Sequence, residues 1–218
     1  MDLYYMPISP PCWSILLLGR QLDLTFNLKE IDFKAEEHKK PEFLKINPAH
    51  TVPTLAVGDG YALSESRAIL VYLVESLKTE GQENSLYPRD AKTRGLIHNR
   101  LDFDLGTLYQ RIIAYCSPQW KSGSMGTEEN RTKVQDAFEL LEVFLSKTKY
   151  VAADQLTIAD ISLFVSVSLL DLCYFDRSGY GKVAAWHDVL KKELVGYEDV
   201  IAKGFPEWRK HVTKPETN

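Results

Sequence analysis

The hydrophobic pattern changes period near residue 80, and that change limits what this chain can fold into. Before it, two periods alternate. "DLYYM" reads as a strand, Pro11 to Leu22 as a helix, and "TFNLKEIDF" as a strand again. A short helix in "KKPEFLKIN" follows, then strands in "TVPTLAV" and "YALSE" and a helix from Arg67 to Leu77. Strand, helix and strand in that order predict a parallel βαβ unit. The last two strands are joined by Gly58-Asp59-Gly60, a hairpin signal. Residues 1–80 therefore read as a small α/β domain with a mixed sheet. Lys78 to Pro88 is polar and turn-rich, which places a linker at 81–87. From 88 to 218 only helical spacing remains: Leu96, Leu101, Leu105, Leu108, Ile112 and Ile113 make one stripe. Thr157-Ile-Ala-Asp160 opens an apolar segment, "ADISLFVSVSLLDL", with a capping-box pattern. A helix apolar nearly all round predicts the buried centre of a bundle.

Composition narrows the function classes. Charged residues make up 26% of the 218 residues, the net charge is −4 and no long basic block occurs, which argues against a nucleic-acid partner. No signal pattern precedes Leu3 and no apolar run is long enough to span a bilayer, so no membrane partner is expected. Cys12, Cys116 and Cys173 are odd in number and far apart, which argues against a disulfide framework or a zinc site and for a reducing cytosol.

The first strand runs into Ser9-Pro10-Pro11-Cys12, one residue away from a Cys-Pro-Pro-Cys redox motif. Proline is favoured at the first helical positions, so Ser9 falls at a helix N-terminus and has the residue type of an N-cap. A hydroxyl there also donates beside a partial positive charge, an environment for a thiolate or another anion. A free thiol titrates near ~8.5, and lowering that by about two units takes roughly 2.7 kcal/mol of preference for the anion. The thiol need not belong to the protein. Val52-Pro53 precedes a strand, where proline signals an edge, a turn or a cis bond and leaves the Val52 backbone open to an extended ligand. In "SESRA", Ser64 has the residue type of a cap, and Glu65, Ser66 and Arg67 surround a helix N-terminus suited to a carboxylate, with Glu65 suited to an ammonium. A ligand with a thiol, an ammonium, a carboxylate and a peptide backbone is a cysteine-containing peptide.

"SPPCWS", "HTVPTL", "SESRAI" and "LTIADIS", in that order, resemble a cytosolic glutathione transferase over essentially the whole chain. "MDLYYMPISPPC", "EEHKKPEFLKINPAHTVPTL", "LDFDLGTLYQR" and "YVAADQLTIADIS" resemble most the insect delta class, with the epsilon class or an unclassified insect class next. The resemblance implies an α/β thioredoxin-like domain followed by an all-helical bundle, acting as a cytoplasmic homodimer that transfers glutathione to hydrophobic electrophiles in detoxification. It implies glutathione as co-substrate, with no metal and no other cofactor. By position, it makes Ser9 the catalytic hydroxyl that stabilises the thiolate. His38 and His50 fall at the glycyl end, Thr51 and Val52 at the cysteinyl backbone, and Pro53 at the cis-proline. Glu65, Ser66 and Arg67 fall at the γ-glutamyl end, and Asp104 where an acidic residue approaches the partner subunit's glutathione. The electrophile pocket implied is Met6, Pro11, Phe33, Tyr109, Ile112, Tyr115, Trp120, Phe205 and Trp208, each of which reads equally as hydrophobic core.

The sequence departs from the delta pattern at Ile8, where glycine is usual, at Trp13, where arginine is usual, and at Ser64, where tryptophan is usual. The "AVGDGYAL" hairpin is one residue longer. These changes bear on the electrophile pocket more than on glutathione. Two other readings compete: a Cys12-dependent thiol transferase of glutaredoxin or omega type, and a non-catalytic carrier of apolar ligands. Ser9 in the first-cysteine position argues against the former, and the retained Ser9, Val52-Pro53 and Glu65-Ser66 against the latter.

Overall fold

The computed structural model describes residues 1–77, 85–124, 126–173 and 175–209. The first of these segments builds a four-stranded mixed sheet in the order β2-β1-β3-β4. Strand β1 (Asp2–Tyr5) leads to helix α1 (Pro10–Gln21), which returns to β2 (Asn27–Glu30) parallel to β1, pairing Leu3 with Leu28. Helix α2 (Pro41–Leu44) precedes β3 (Thr54–Ala56), which runs antiparallel to both β1 and β4 (Ala62–Ser64). Gly58, Asp59 and Gly60 all have positive φ, which is why the hairpin needs glycines there. Helix α3 (Ser66–Ser76) closes this unit. Strand β2 is shorter than the "TFNLKEIDF" pattern implies: it is the exposed edge, and Ile31 already turns into the core.

The second unit is helical: α4 (Ala91–Phe103), α5 (Tyr109–Ser122), α6 (Glu128–Leu145), α7 (Ile158–Ser168), α8 (Gly181–Glu193) and α9 (Gly204–Arg209). This is the thioredoxin-like domain followed by a helical bundle that the sequence predicts. Of the expected linker, residues 81–84 lie outside the described residues, while Leu86 and Tyr87 are buried. Every residue of α7 is buried, and the helix packs on α1 and α3 of the first unit and on α4, α5 and α8 of its own. Asp160 makes that burial possible. Its carboxylate accepts the Thr157 N–H at 2.9 Å and hydroxyl at 2.8 Å, the Val151 N–H at 2.9 Å and the Trp186 indole N–H at 3.1 Å.

Three expectations change. The stripe from Leu96 to Ile113 is not one α-helix: Asp104–Leu108 is a π-helical turn between α4 and α5. It adds a residue to the turn and rotates all that follows by about one position, so that Leu96 and Leu105 are exposed while Ile97 is buried. Ser64 ends β4, and the N-cap of α3 is Glu65. Cys116 and Cys173, expected to be unpaired, form a disulfide with Cα atoms 5.6 Å apart, because α5 and the end of the α7 segment meet in the core. Sequence spacing does not report distance in a bundle. Cys12 is the free, buried cysteine.

Candidate functional site

Ser9 occupies the N-cap position of α1, yet its side chain caps nothing. The reason lies in the next two residues. A capping hydroxyl accepts from the second or third helical N–H. Pro11 has none, and the Cys12 N–H is taken by the Ser9 carbonyl at 3.0 Å. Two prolines thus leave the hydroxyl uncommitted at a helix N-terminus. The backbone turn before it is tightly held: Ser9 N–H donates to the Met6 carbonyl at 3.0 Å, the Trp13 indole to the Pro7 carbonyl at 2.7 Å and the Trp208 indole to the Ile8 carbonyl at 2.8 Å. One residue turn further on, burial pushes the Cys12 thiol up to about 11, outweighing hydrogen bonding to Ser9 and Met6. It stays a thiol at neutral pH.

The Val52-Pro53 bond is cis. Before it, the Asn47 amide ties the loop to the Thr51 carbonyl at 3.1 Å and to the Thr54 hydroxyl at 2.8 Å, and His50 sits at positive φ. The His38 ring stacks on Phe33 at 4.2 Å and lies 6.1 Å from the His50 ring, with its Nδ1 buried and unpartnered.

Glu65 is also at positive φ (69°), a strained conformation for a non-glycine residue, and it presents an exposed carboxylate at the start of α3. Behind it, Arg67 donates to Asp104 Oδ2 through Nε at 3.2 Å and Nη2 at 2.7 Å, and to the Ser66 hydroxyl at 3.2 Å. Ser162 donates to the same Oδ2 at 2.5 Å, while Asp104 Oδ1 is buried with no partner. Asp104 is fully buried, so it is not the surface acid that the resemblance implies. The π-helical turn swings it inward under Arg67, and it acts on the site through that guanidinium. The Arg67 guanidinium also lies 5.1 Å from the centre of the Tyr109 ring. Burial pushes the Tyr109 phenol up to about 12 against the pull of Arg67.

These elements open onto one cavity of 650 Å³ between the two domains. Of the predicted residues, Met6, Ser9, Pro11, Phe33, His38, His50, Thr51, Val52, Tyr109, Trp120 and Trp208 line it. Glu65, Ser66 and Arg67 stand apart from its lining, and Pro53 is buried beneath Val52. Ile112, Tyr115 and Phe205 do not reach it. Ile112 is fully buried in the bundle, Tyr115 packs edge-on against Phe175 at 5.6 Å, and Phe205 packs edge-on against Trp13 at 5.8 Å. Ile8, Pro10, Ile113 and Lys121 line the cavity without having been predicted. Ile113 takes the place of Ile112 because the π-helical turn shifts the face of α5 by one residue. No signal in the sequence marks a single π turn. Trp120 and Trp208 meet edge to face at 4.3 Å and form the far wall. Among the described residues, no group of three or more His, Cys, Asp or Glu side chains is placed to hold a metal ion.

A thioredoxin-like sheet with an uncommitted serine at its first helix, set against a helical domain across a cleft, defines a protein built to hold a thiol peptide beside an apolar surface. The chain matches the family description "Glutathione S-transferase, N-terminal domain" over residues 1–75 and "Glutathione S-transferase, C-terminal domain" over 124–188, and it belongs to that family. A delta-class glutathione transferase of Nilaparvata lugens is 38% identical, with 97% of this chain and 99% of that one covered at a TM-score of 0.88. An epsilon-class enzyme of the housefly, Musca domestica, is 33% identical, with 98% and 99% covered at 0.85. A glutathione transferase homolog from Drosophila mojavensis, whose structure holds bound glutathione, is 32% identical, with 98% and 97% covered at 0.86.

Proposed function

We propose that this glutathione transferase joins the thiol of glutathione to hydrophobic electrophiles, with Ser9 stabilising the thiolate. The observation that carries the reading is the Ser9 hydroxyl, left without a capping role at the N-terminus of α1 and facing the cleft. Glutathione lies along the Val52 backbone as an added strand, its γ-glutamyl end toward Glu65, Ser66 and Arg67 and its glycyl end toward His38 and His50. The Ser9 O–H donates to the sulfur, and the positive end of α1 favours the anion. The proton leaves to solvent. The thiolate then attacks a carbon of an electrophile held against Tyr109, Ile113, Trp120 and Trp208; a C–S bond forms and the leaving group departs with its electron pair. The reaction so written uses glutathione as co-substrate and no resident cofactor. Measuring thioether formation from glutathione and an activated aryl chloride tests it; no rate above the uncatalysed one would refute it.

The thiol-transferase reading requires an ionised Cys12, and a buried thiol held near about 11 does not supply one. The cytoplasm is proposed as the working compartment because it holds reduced glutathione; the Cys116–Cys173 bond is fully buried and thus shielded from that pool. A homodimer is proposed because Tyr61, Leu96 and Leu105 are exposed apolar side chains at 47%, 43% and 38%. Sedimentation at micromolar concentration should give a dimer; a fully active monomer would overturn it.

A further inference from the structure

A second cavity, of 430 Å³, lies between the first domain and the C-terminal helices, within the range that holds small organic ligands. Ile8 is the one residue that lines both it and the catalytic cleft. Its walls are apolar and largely aromatic: Tyr5, Trp13 and Phe26, with Leu16 and Leu24. Two close packings hold this shape. A Cβ on Gly204 would stand 2.8 Å from the Trp13 ring, so α9 sits directly on the indole. A Cβ on Gly196 would stand 2.7 Å from Arg20 Cγ, so the arginine stem is laid against that loop and its head is set at the rim.

The charges at the rim decide what the cavity prefers. Asp199 already accepts the Lys203 ammonium at 2.6 Å, and Glu207 has a partner of its own. Arg20 makes no ion pair among the described residues. The uncommitted charge is therefore positive and stands above aromatic walls. We infer that this cavity binds a rigid aromatic molecule carrying one anionic group, at a site separate from the catalytic cleft. The rings pack on Trp13 and Phe26, and the anion pairs with Arg20. Trp13 and Ile8 both belong to the clamp on the turn that precedes Ser9. A bound molecule thus presses on the segment that positions the hydroxyl and lowers turnover without competing for either substrate; this effect on rate, unlike the binding, rests on the proposed role of Ser9.

Equilibrium binding of anilinonaphthalene sulfonate, with the catalytic cleft saturated by S-hexylglutathione, tests it, with neutral phenylnaphthylamine as the uncharged comparison. One sulfonate site should survive saturation. Thr25→Trp, at the exposed mouth of the cavity, should weaken the sulfonate about tenfold and leave kcat/KM for conjugation unchanged. Arg20→Gln should weaken the sulfonate roughly tenfold and the neutral probe hardly at all. Inhibition of conjugation by the sulfonate should be non-competitive. Complete displacement by S-hexylglutathione, competitive inhibition, or indifference to Thr25→Trp would overturn the site. Equal losses for both probes in Arg20→Gln would overturn the anionic class. If S-hexylglutathione itself fails to bind, it is the glutathione reading that falls, and the Thr25→Trp titration still decides the second cavity.

Discussion

The two walls of the catalytic cleft are built on opposite plans. The N-terminal wall is made of backbone irregularities: a helix start with two prolines, a cis peptide bond, and His50 and Glu65 at positive φ. Each leaves a polar group without a local partner, and the uncommitted Ser9 hydroxyl is the clearest case. The C-terminal wall is made of side chains on regular helices, and its polar atoms are already spent or buried. The Trp208 N–H is given to the Ile8 carbonyl, and the Tyr109 phenol is held protonated. One wall is chemically unfinished and suited to a fixed polar ligand. The other is chemically closed and supplies only shape. Reactivity should therefore follow the first wall and electrophile preference the second.

The sharpest way to break that contrast is Ser9→Ala. Turnover should fall by roughly 10- to 1000-fold, the range for losing one preorganised donor to an anion, with the KM for glutathione little changed. A variant within twofold of the parent would remove the chemical role of this wall.

Arg67→Ala comes next. Its contacts are the same in ground and transition states, so the KM for glutathione should rise by about tenfold with a smaller change in kcat. It also strips Asp104 of its charge partner while Oδ1 already has none, at a cost of roughly 3 kcal/mol in stability. Steady-state kinetics and thermal unfolding read the two effects separately, and an unchanged KM would detach Arg67 from the glutathione site.

On the second wall the neighbours Ile112 and Ile113 form a matched pair. Ile113→Ala should change the relative KM values of small and large electrophiles by about two- to tenfold, as expected for pocket methylenes, and leave glutathione alone. Ile112→Ala should leave selectivity unchanged and cost roughly 2–4 kcal/mol as a core cavity. Reversed results would mean that the π-helical turn does not set the register of α5 in solution.

The smallest effects should come from Cys12→Ala and Tyr109→Phe. Burial raises both groups, to about 11 and about 12, so both remain protonated from pH 6 to 9 and neither gains charge as pH rises through that range. Any rise of rate with pH in that window should persist in both variants, and turnover should stay within about twofold. Loss of the rise in Cys12→Ala would restore the redox reading.

What was legible in the sequence follows the same division. Local chemistry was readable because its causes are local. Prolines after Ser9 fix a helix start, Val52-Pro53 marks a break in a strand, and Gly-Asp-Gly forces a hairpin. The order of periods then gave a βαβ unit followed by a bundle, since periodicity alone separates strand from helix. Asp160 was legible as part of a capping box. That its carboxylate also collects Val151 and Trp186 was not, because those donors arrive from other parts of the chain.

Only the tertiary structure decided the rest. Ile113 rather than Ile112 faces the cleft because one π turn, invisible in composition, rotates a whole helix. The same turn buries Asp104 under Arg67 instead of leaving it at the surface. Cys116 and Cys173 meet across a separation of 57 residues because two helical segments share a core. By itself the sequence determined which groups the chain offers and where its backbone must bend, since those depend on neighbours in the chain. Which groups face one another is set by packing between elements distant in sequence, where a rotation of one residue exchanges core for cleft.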